Sequence, residues 1–375
     1  MSERASGAGL ALALVLAAAM PVLPVDAQSR AIEFPDVDGY HTLAVDLHTH
    51  SVFSDGSVWP VIRVQESERD GVALLAVTEH LEYQPRAADI PNPDRNRAFA
   101  VAAEYAGAEA PGVIVVNGAE ISRDMPPGHC NAVFLSDANA LLRDDVMEVF
   151  EEANRQDAFV FWNHPNWIPQ RRDGVARLTD MHRRLIADGL LHGIEVANAH
   201  MYSAEALQIA LDYDLAILGV SDIHGLVDWE YDVHGGGHRT VTLVLAEERT
   251  AESIREALHA NRTAAWKDSE LIGREEVVVP LLEASLKVLD VRVRRGSVLT
   301  VTLVNRSGAS FNLLSVGPQR FYDRGAVVNV GPYETVAVSV TGENRADFEL
   351  SFAVLNALVA PETHPRLQIA VEVPE

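Results

Sequence analysis

The sequence predicts an α/β barrel followed by a smaller all-β domain, and three observations predict it. From Leu43 to about residue 260, short apolar runs alternate with helix-like segments, the pattern of parallel strands joined by crossover helices. Seven such runs suit a closed barrel, although an open doubly wound sheet shows the same local pattern. After Glu276 the character changes to β-type runs broken by Gly, Asn and Pro.

In chain order, the expected barrel strands are residues 43–47, 72–77, 113–117, 132–135, 158–162, 193–197 and 216–220. Between them, residues 61–69, 96–109, 144–155 and 203–212 carry apolar residues at helical spacing, and Ser203 is placed to cap the last. In the final section, residues 289–293, 298–304, 336–340 and 348–354 read as strands. The expected domain boundaries are 28–275 for the barrel and 276–375 for the β domain, whose default role is a structural cap.

Forty-eight per cent hydrophobic and 22% charged content rules out wholesale disorder. Thirty basic residues against 54 acidic ones give a net charge of -24, which repels a phosphate backbone and argues against nucleic-acid binding. An anionic substrate therefore needs a local concentration of positive charge, which metal ions supply. Residues 10–20 form an apolar run behind Arg4, and Val25-Asp26-Ala27 offers small residues for cleavage. This resembles a signal peptide over residues 1–27, implying an exported protein, periplasmic or secreted. The run is too short to span a bilayer, so no stable membrane insertion is expected. The single cysteine, Cys130, cannot form an internal disulfide.

Chemistry concentrates at the ends of the expected strands. His48 and His50 follow the first at i and i+2, so both imidazoles face one cavity. Asp55, which alone would suggest an Asx turn, lies five residues further on. Thr78-Glu79-His80 ends the second strand, Gly118-Ala119-Glu120 the third, Asn163-His164 the fifth and Ser221-Asp222-Ile223-His224 the seventh, while His129 precedes the fourth. Any one of these could be a core histidine or a cap; nine together read as a site. Imidazoles and carboxylates without paired cysteines fit Mn, Zn or Fe, with Cys130 buried rather than ligating. Nine ligands exceed one ion, so two or three divalent metal ions are expected, with hydrolysis as the natural chemistry.

The ordered series DLHTHSVFSDG, TEH, GAE, GHCNAVFL, NHP and SDIH resembles the metal-site motifs of the PHP (polymerase and histidinol phosphatase) family. That resemblance, over roughly residues 40–270, implies a distorted seven-stranded (β/α) barrel. By it, His48, His50 and Asp222 would bind one ion, Glu120 would bridge to a second held by His129 and His164, and Asp55, His80 and His224 would hold a third. Some family members carry His at the position of Asp55. The segments FWNHPNW, GIEVANAHMYSAEAL, LGVSDIHG and RTAAWKDSELIGREE further resemble exported PHP phosphodiesterases acting on organophosphate diesters. The implied reaction is diester hydrolysis by a metal-bridging hydroxide, with Glu120 and Asp222 organising the ions. The third ion, or a protonated His80 or His224, would meet the departing alkoxide.

Around this set, Arg239 and Lys267 are secondary candidates for contact with a phosphoryl oxygen. Trp162, Trp167 and Tyr202 could wall a pocket for an apolar ester group. His234 and His238 flank three glycines in a possible lid. The expected partner is a small-molecule phosphoester. The alternatives are a phosphomonoesterase of histidinol-phosphatase type and a non-catalytic exported metal-binding protein. A nucleophile elbow and a GxxxxGK phosphate loop are both absent.

Overall fold

The computed structural model describes residues 31–295, 298–341 and 346–374, so the signal peptide expected at residues 1–27 lies outside the described residues. Along the chain the barrel strands are β1 (His41–Asp46), β2 (Leu74–Val77), β3 (Ile114–Ser122), β4 (His129–Val133), β5 (Phe159–Trp162), β6 (Gly193–Asn198), the short β7 (Met201–Tyr202) and β8 (Ala216–Val220). Three more, β9 (Val241–Ala246), β10 (Thr263–Lys267) and β11 (Glu270–Gly273), extend the sheet beyond β1. The helices are α1 (Pro60–Asp70), α2 (Arg97–Glu109), α3 (Val146–Arg155), α4 (Asp180–Ala187), α5 (Ala204–Asp212), the one-turn α6 (Val227–Glu230) and α7 (Ala251–His259). Their ends follow local chemistry. Pro60 starts α1 and Gly71 ends it in the left-handed region, while the Asp145 and Ser203 side chains accept N-terminal amides of α3 and α5.

Strands β1, β2 and β3 are parallel neighbours, as are β5, β6 and β8. Contrary to the all-parallel expectation, β4 runs antiparallel to both β3 and β5. It also begins at His129, three residues before the expected start, because the short link after β3 leads straight back along its neighbour. The reversal puts the first residue of β4 at the end of the barrel where the other strands finish.

The ring closes between β8 and β1. Thr49 and Ile223 form a parallel bridge, His50 N–H donates to Ile223 O at 3.1 Å, and Asp222 N–H donates to His48 O at 3.0 Å. Gly219 holds β8 against β9: its N–H donates to Thr242 Oγ1 at 3.1 Å, and that hydroxyl donates back to Gly219 O at 2.8 Å. A Cβ at position 219 would stand 2.7 Å from Val241 O and 2.8 Å from the Ala265 side chain.

Helix α8 (Glu275–Ser285) leads directly into β12 (Leu286–Arg295). The all-β unit continues with β13 (Val298–Asn305), β14 (Phe311–Ser315), β15 (Arg320–Phe321) and β16 (Val327–Val330). It ends with β17 (Thr335–Thr341), β18 (Phe348–Val354), β19 (Ala357–Leu358) and β20 (Arg366–Val371). Two four-stranded sheets result, ordered β12-β13-β17-β15 and β16-β14-β18-β20. Along β13 burial alternates, with Leu299, Val301 and Leu303 facing the core between the sheets. Strand β19 leaves this sandwich and pairs in parallel with β11, covering an edge of the barrel sheet. Asn356 secures the crossing by donating to Ser269 O at 2.7 Å and Ser310 O at 2.8 Å. One apolar cluster runs from Trp266, Leu271 and Leu281 to Leu303, Phe311 and Phe352, so the two units share a core. Among the described residues no helix is long and apolar enough to cross a membrane.

The Gly219→Ala substitution should separate β8 from β9 and β10 and lower unfolding free energy by about 1–3 kcal/mol, read as a lower urea midpoint at unchanged slope.

Candidate metal centre

The segment after β1 is pinned to the end of β2. Thr49 N–H donates to Thr78 Oγ1 at 2.9 Å and the Thr49 hydroxyl donates to Ala76 O at 2.7 Å. With Thr49 held outward, the alternate residues His48 and His50 enter the barrel end together. Two other ligand candidates sit in the left-handed region, His164 at φ 25° and Asp222 at φ 48°. Backbone strain of this kind is found where surrounding structure enforces a functional geometry.

The Nε2 atoms of His48 and His50 are 3.0 Å apart. Asp222 Oδ1 lies 3.2 and 3.1 Å from them, and Glu120 Oε2 lies 3.6 and 3.5 Å away. Glu120 turns its other oxygen, Oε1, toward His129 Nδ1 at 2.8 Å and His164 Nε2 at 3.5 Å. On the far side of His50, Asp55 Oδ2 is 3.3 Å from His80 Nε2 and 3.2 Å from His224 Nε2. His80 spans the gap, with Nδ1 at 2.7 Å from both Glu120 Oε2 and Ser122 Oγ. All nine expected ligand residues thus gather at one end of the barrel.

This set fits divalent cations. Glu120 Oε2 and Asp222 Oδ1 are buried without a hydrogen-bond partner, although each faces imidazole nitrogens. A buried charged oxygen left without a donor is costly, and a cation shared with those imidazoles removes the cost. Among the described residues, three donor groups are close enough for an ion: His48, His50 and Glu120; His80, Glu120 and His129; and His50, Asp55, His80 and His224.

A solved two-domain protein from Bacteroides vulgatus ATCC 8482, containing a predicted PHP-like metal-dependent phosphoesterase, is 39% identical to this chain with a TM-score of 0.85. The match covers 91% of this chain and 98% of that one. The chain belongs to the PHP-like metal-dependent phosphoesterases. PsfC from Pseudomonas syringae PB-5123 is more distant, at 17% identity and TM-score 0.41, covering 60% of this chain and 92% of its own. The sequence family described as an Ig-like domain matches residues 286–370. No curated protein matches the chain.

In this PHP-like site, charge is balanced by proximity rather than by solvent. Burial alone would depress the His48 pKa, but Asp222, Glu195 and Glu120 outweigh it and hold His48 well above the ordinary imidazole value. The same contest at His80, won by Glu120 and Asp55, pushes it up to about 10. At His50 burial wins, and the pKa falls to about 4. Burial favours neutral carboxyls, yet the surrounding imidazoles keep Glu120, Asp222 and Asp55 well below the usual carboxylate range. The carboxylates are therefore charged and ready for cations, whose binding would displace protons from His48 and His80.

Sequence reasoning missed the residues that orient these ligands. Glu195 on β6 accepts the His48 Nδ1 proton at 2.7 Å, the His164 N–H at 2.6 Å and Asn198 Nδ2 at 2.9 Å. Its signal was an acid inside the buried strand GIEVAN, where an unpaired charge has no place. Glu79 takes the Ser51 and Ser54 hydroxyls and so shapes the turn toward Asp55. Arg63 on α1 ties the closing strands together by donating to His50 O at 2.8 Å and Ile223 O at 3.1 Å.

Other expected contacts do not reach the PHP pocket. Arg239 is only 1% exposed and donates to Asp70 Oδ2 at 2.6 Å and Asp46 Oδ2 at 3.3 Å, so it neutralises two buried acids instead of meeting substrate. Lys267 is buried against Asp268, at 2.8 Å, and does not line the pocket. Trp162 is buried with its ring 4.0 Å from His182, and Tyr202 also lies outside the lining; Trp167 is part of it. His234 and His238 border a different cavity with Phe34, where His238 stacks on Trp266 at 4.8 Å, and form no lid here. Cys130 is fully buried and its thiol pKa is pushed up by desolvation, as suits a packing residue.

Replacing Glu195 by Gln should weaken metal binding about 10- to 100-fold in a metal titration, because the His48 ring loses its charged orienting partner. Arg239→Ala should destabilise the fold by about 3–5 kcal/mol, because Asp46 and Asp70 lose their guanidinium partner; a substrate-contact role would instead raise KM at unchanged melting temperature.

Proposed function

We propose that this metal-dependent phosphoesterase is a phosphodiesterase acting on organophosphate diesters. The observation that carries the reading is the charge of the pocket wall: among the described residues no Lys or Arg side chain lines the metal-facing cavity of about 530 Å³. A diester brings one negative charge to phosphorus and a monoester brings up to two. With no Lys or Arg among the described lining residues to meet the second charge, the singly charged substrate suits the site better.

In this reading, His48, His50 and Asp222 would hold one ion, Glu120 would bridge to another held by His129 and His164, and Asp55, His80 and His224 would hold a third. When bound, such ions supply Lewis acidity and make a water acidic enough to attack phosphorus near neutral pH. The protein's part is orientation. Glu120 presents its two oxygens in opposite directions, and Glu195 fixes the His48 ring so that Nε2 faces inward. His80 and His224 line the pocket with Nε2 held toward Asp55; with no ion at that third position, either would carry the proton that a departing alkoxide requires. The leader-like residues 1–27 support an exported location, periplasmic or secreted.

The test is hydrolysis of bis(4-nitrophenyl) phosphate against 4-nitrophenyl phosphate by protein reconstituted with Mn or Zn. The diester should be preferred in kcat/KM by about tenfold or more. A monoester preference would make the protein a phosphomonoesterase, and turnover of neither would point to a metal-binding role.

A further inference from the structure

Besides the ligand residues, the lining of the metal-facing cavity comprises Tyr83, Ser122, Trp167 and Met201. Three of these four are apolar or aromatic. The Trp167 ring stands 5.0 Å from His164 and 5.5 Å from His129, and the Tyr83 ring meets His80 edge-on at 5.4 Å. The polar exception, Ser122, is occupied: its hydroxyl lies against His80 Nδ1 and donates to Glu120 O at 3.1 Å. The walls therefore offer little to the hydroxyls of a sugar or the edges of a base, and much to a hydrocarbon group.

Further exposed apolar side chains follow the strands that carry the ligands. Trp59, Tyr83, Ile168, Met201 and Trp229 are all exposed, Trp229 by 73% and Ile168 by 66%. They follow β1, β2, β5, β6 and β8 respectively, strands whose parallel pairings bring these loops to the metal-bearing end. Exposed large apolar side chains gathered at one end of a protein are a signature of ligand or partner contact.

We infer that the site selects phosphodiesters by an apolar ester group, the one retained on phosphorus, seated against Trp167, Tyr83 and Met201. The inference rests on the diesterase reading and adds the substrate class to it. In the reaction, the oxygen of one water forms the new bond to phosphorus and the bond to the leaving oxygen breaks. The water's two hydrogens are divided between the phosphate monoester and the alcohol produced.

The experiment uses the full metal-loaded chain and a series of alkyl 4-nitrophenyl phosphates from methyl to hexyl. The leaving group is constant, so only the retained group varies. Wild type should gain about two- to fourfold in kcat/KM per methylene, chiefly through KM, as each is removed from water. Met201→Ser, a change at a side chain 37% exposed, should reduce that slope without disturbing the core. Trp167→Ala should reduce it further, with metal content measured because the ring packs on two ligand residues. A flat series in wild type, or slopes unchanged in both variants, overturns the inference while leaving the diesterase reading standing. Turnover of 4-nitrophenyl phosphate with none of the diesters overturns both.

Discussion

The Glu120 carboxylate is the point on which the functional end of this protein depends. It is buried at the end of β3, and one oxygen faces His48, His50 and His80 while the other faces His129 and His164. A buried carboxylate is tolerated only when it is neutralised or paired. Here five imidazoles from four different strand ends supply that pairing, and each must be delivered at a few ångströms. The fold beneath can be read as the apparatus that delivers them.

That apparatus is a second layer of buried charge and backbone pairing. Arg63 holds the carbonyls of His50 and Ile223, and Ser221 donates to Asp46 at 2.6 Å while Arg239 neutralises Asp46 and Asp70. These contacts join the ends of β1 and β8, the seam where the ring closes. They leave the ligand side chains to face one another across the cavity. An acidic protein with metal ions at this end would gain an anion-binding site without any Lys or Arg among the described residues of the pocket wall.

The Ig-like unit contributes to the barrel rather than hanging from it. Strand β19 completes the barrel sheet beside β11, and Asn356 bonds to both units. A continuous apolar core across the junction makes relative motion of the two parts costly. All nine candidate ligand residues of the metal-bearing end come from the barrel's strands and the loops beside them.

Much of the site was legible in the sequence because metal ligation requires particular residue types at particular places. His48 with His50, Asp222 with His224, and single ligands at other strand ends announced themselves by spacing, and strand periodicity placed them at one end. The reversal of β4 was not legible, since an antiparallel strand has the same apolar composition as a parallel one. Nor was the fate of Arg239: a cation in a loop before β9 reads as available for substrate until Asp46 and Asp70, far away in sequence, are brought against it. Glu195 and Glu79 looked like ordinary acids because their partners come from other strands. The sequence by itself determined the candidate ligand residues and the order of elements, which are local properties. Only the tertiary structure decided which buried charges pair with each other and which are left for metal, because pairing depends on distances between segments far apart in the chain.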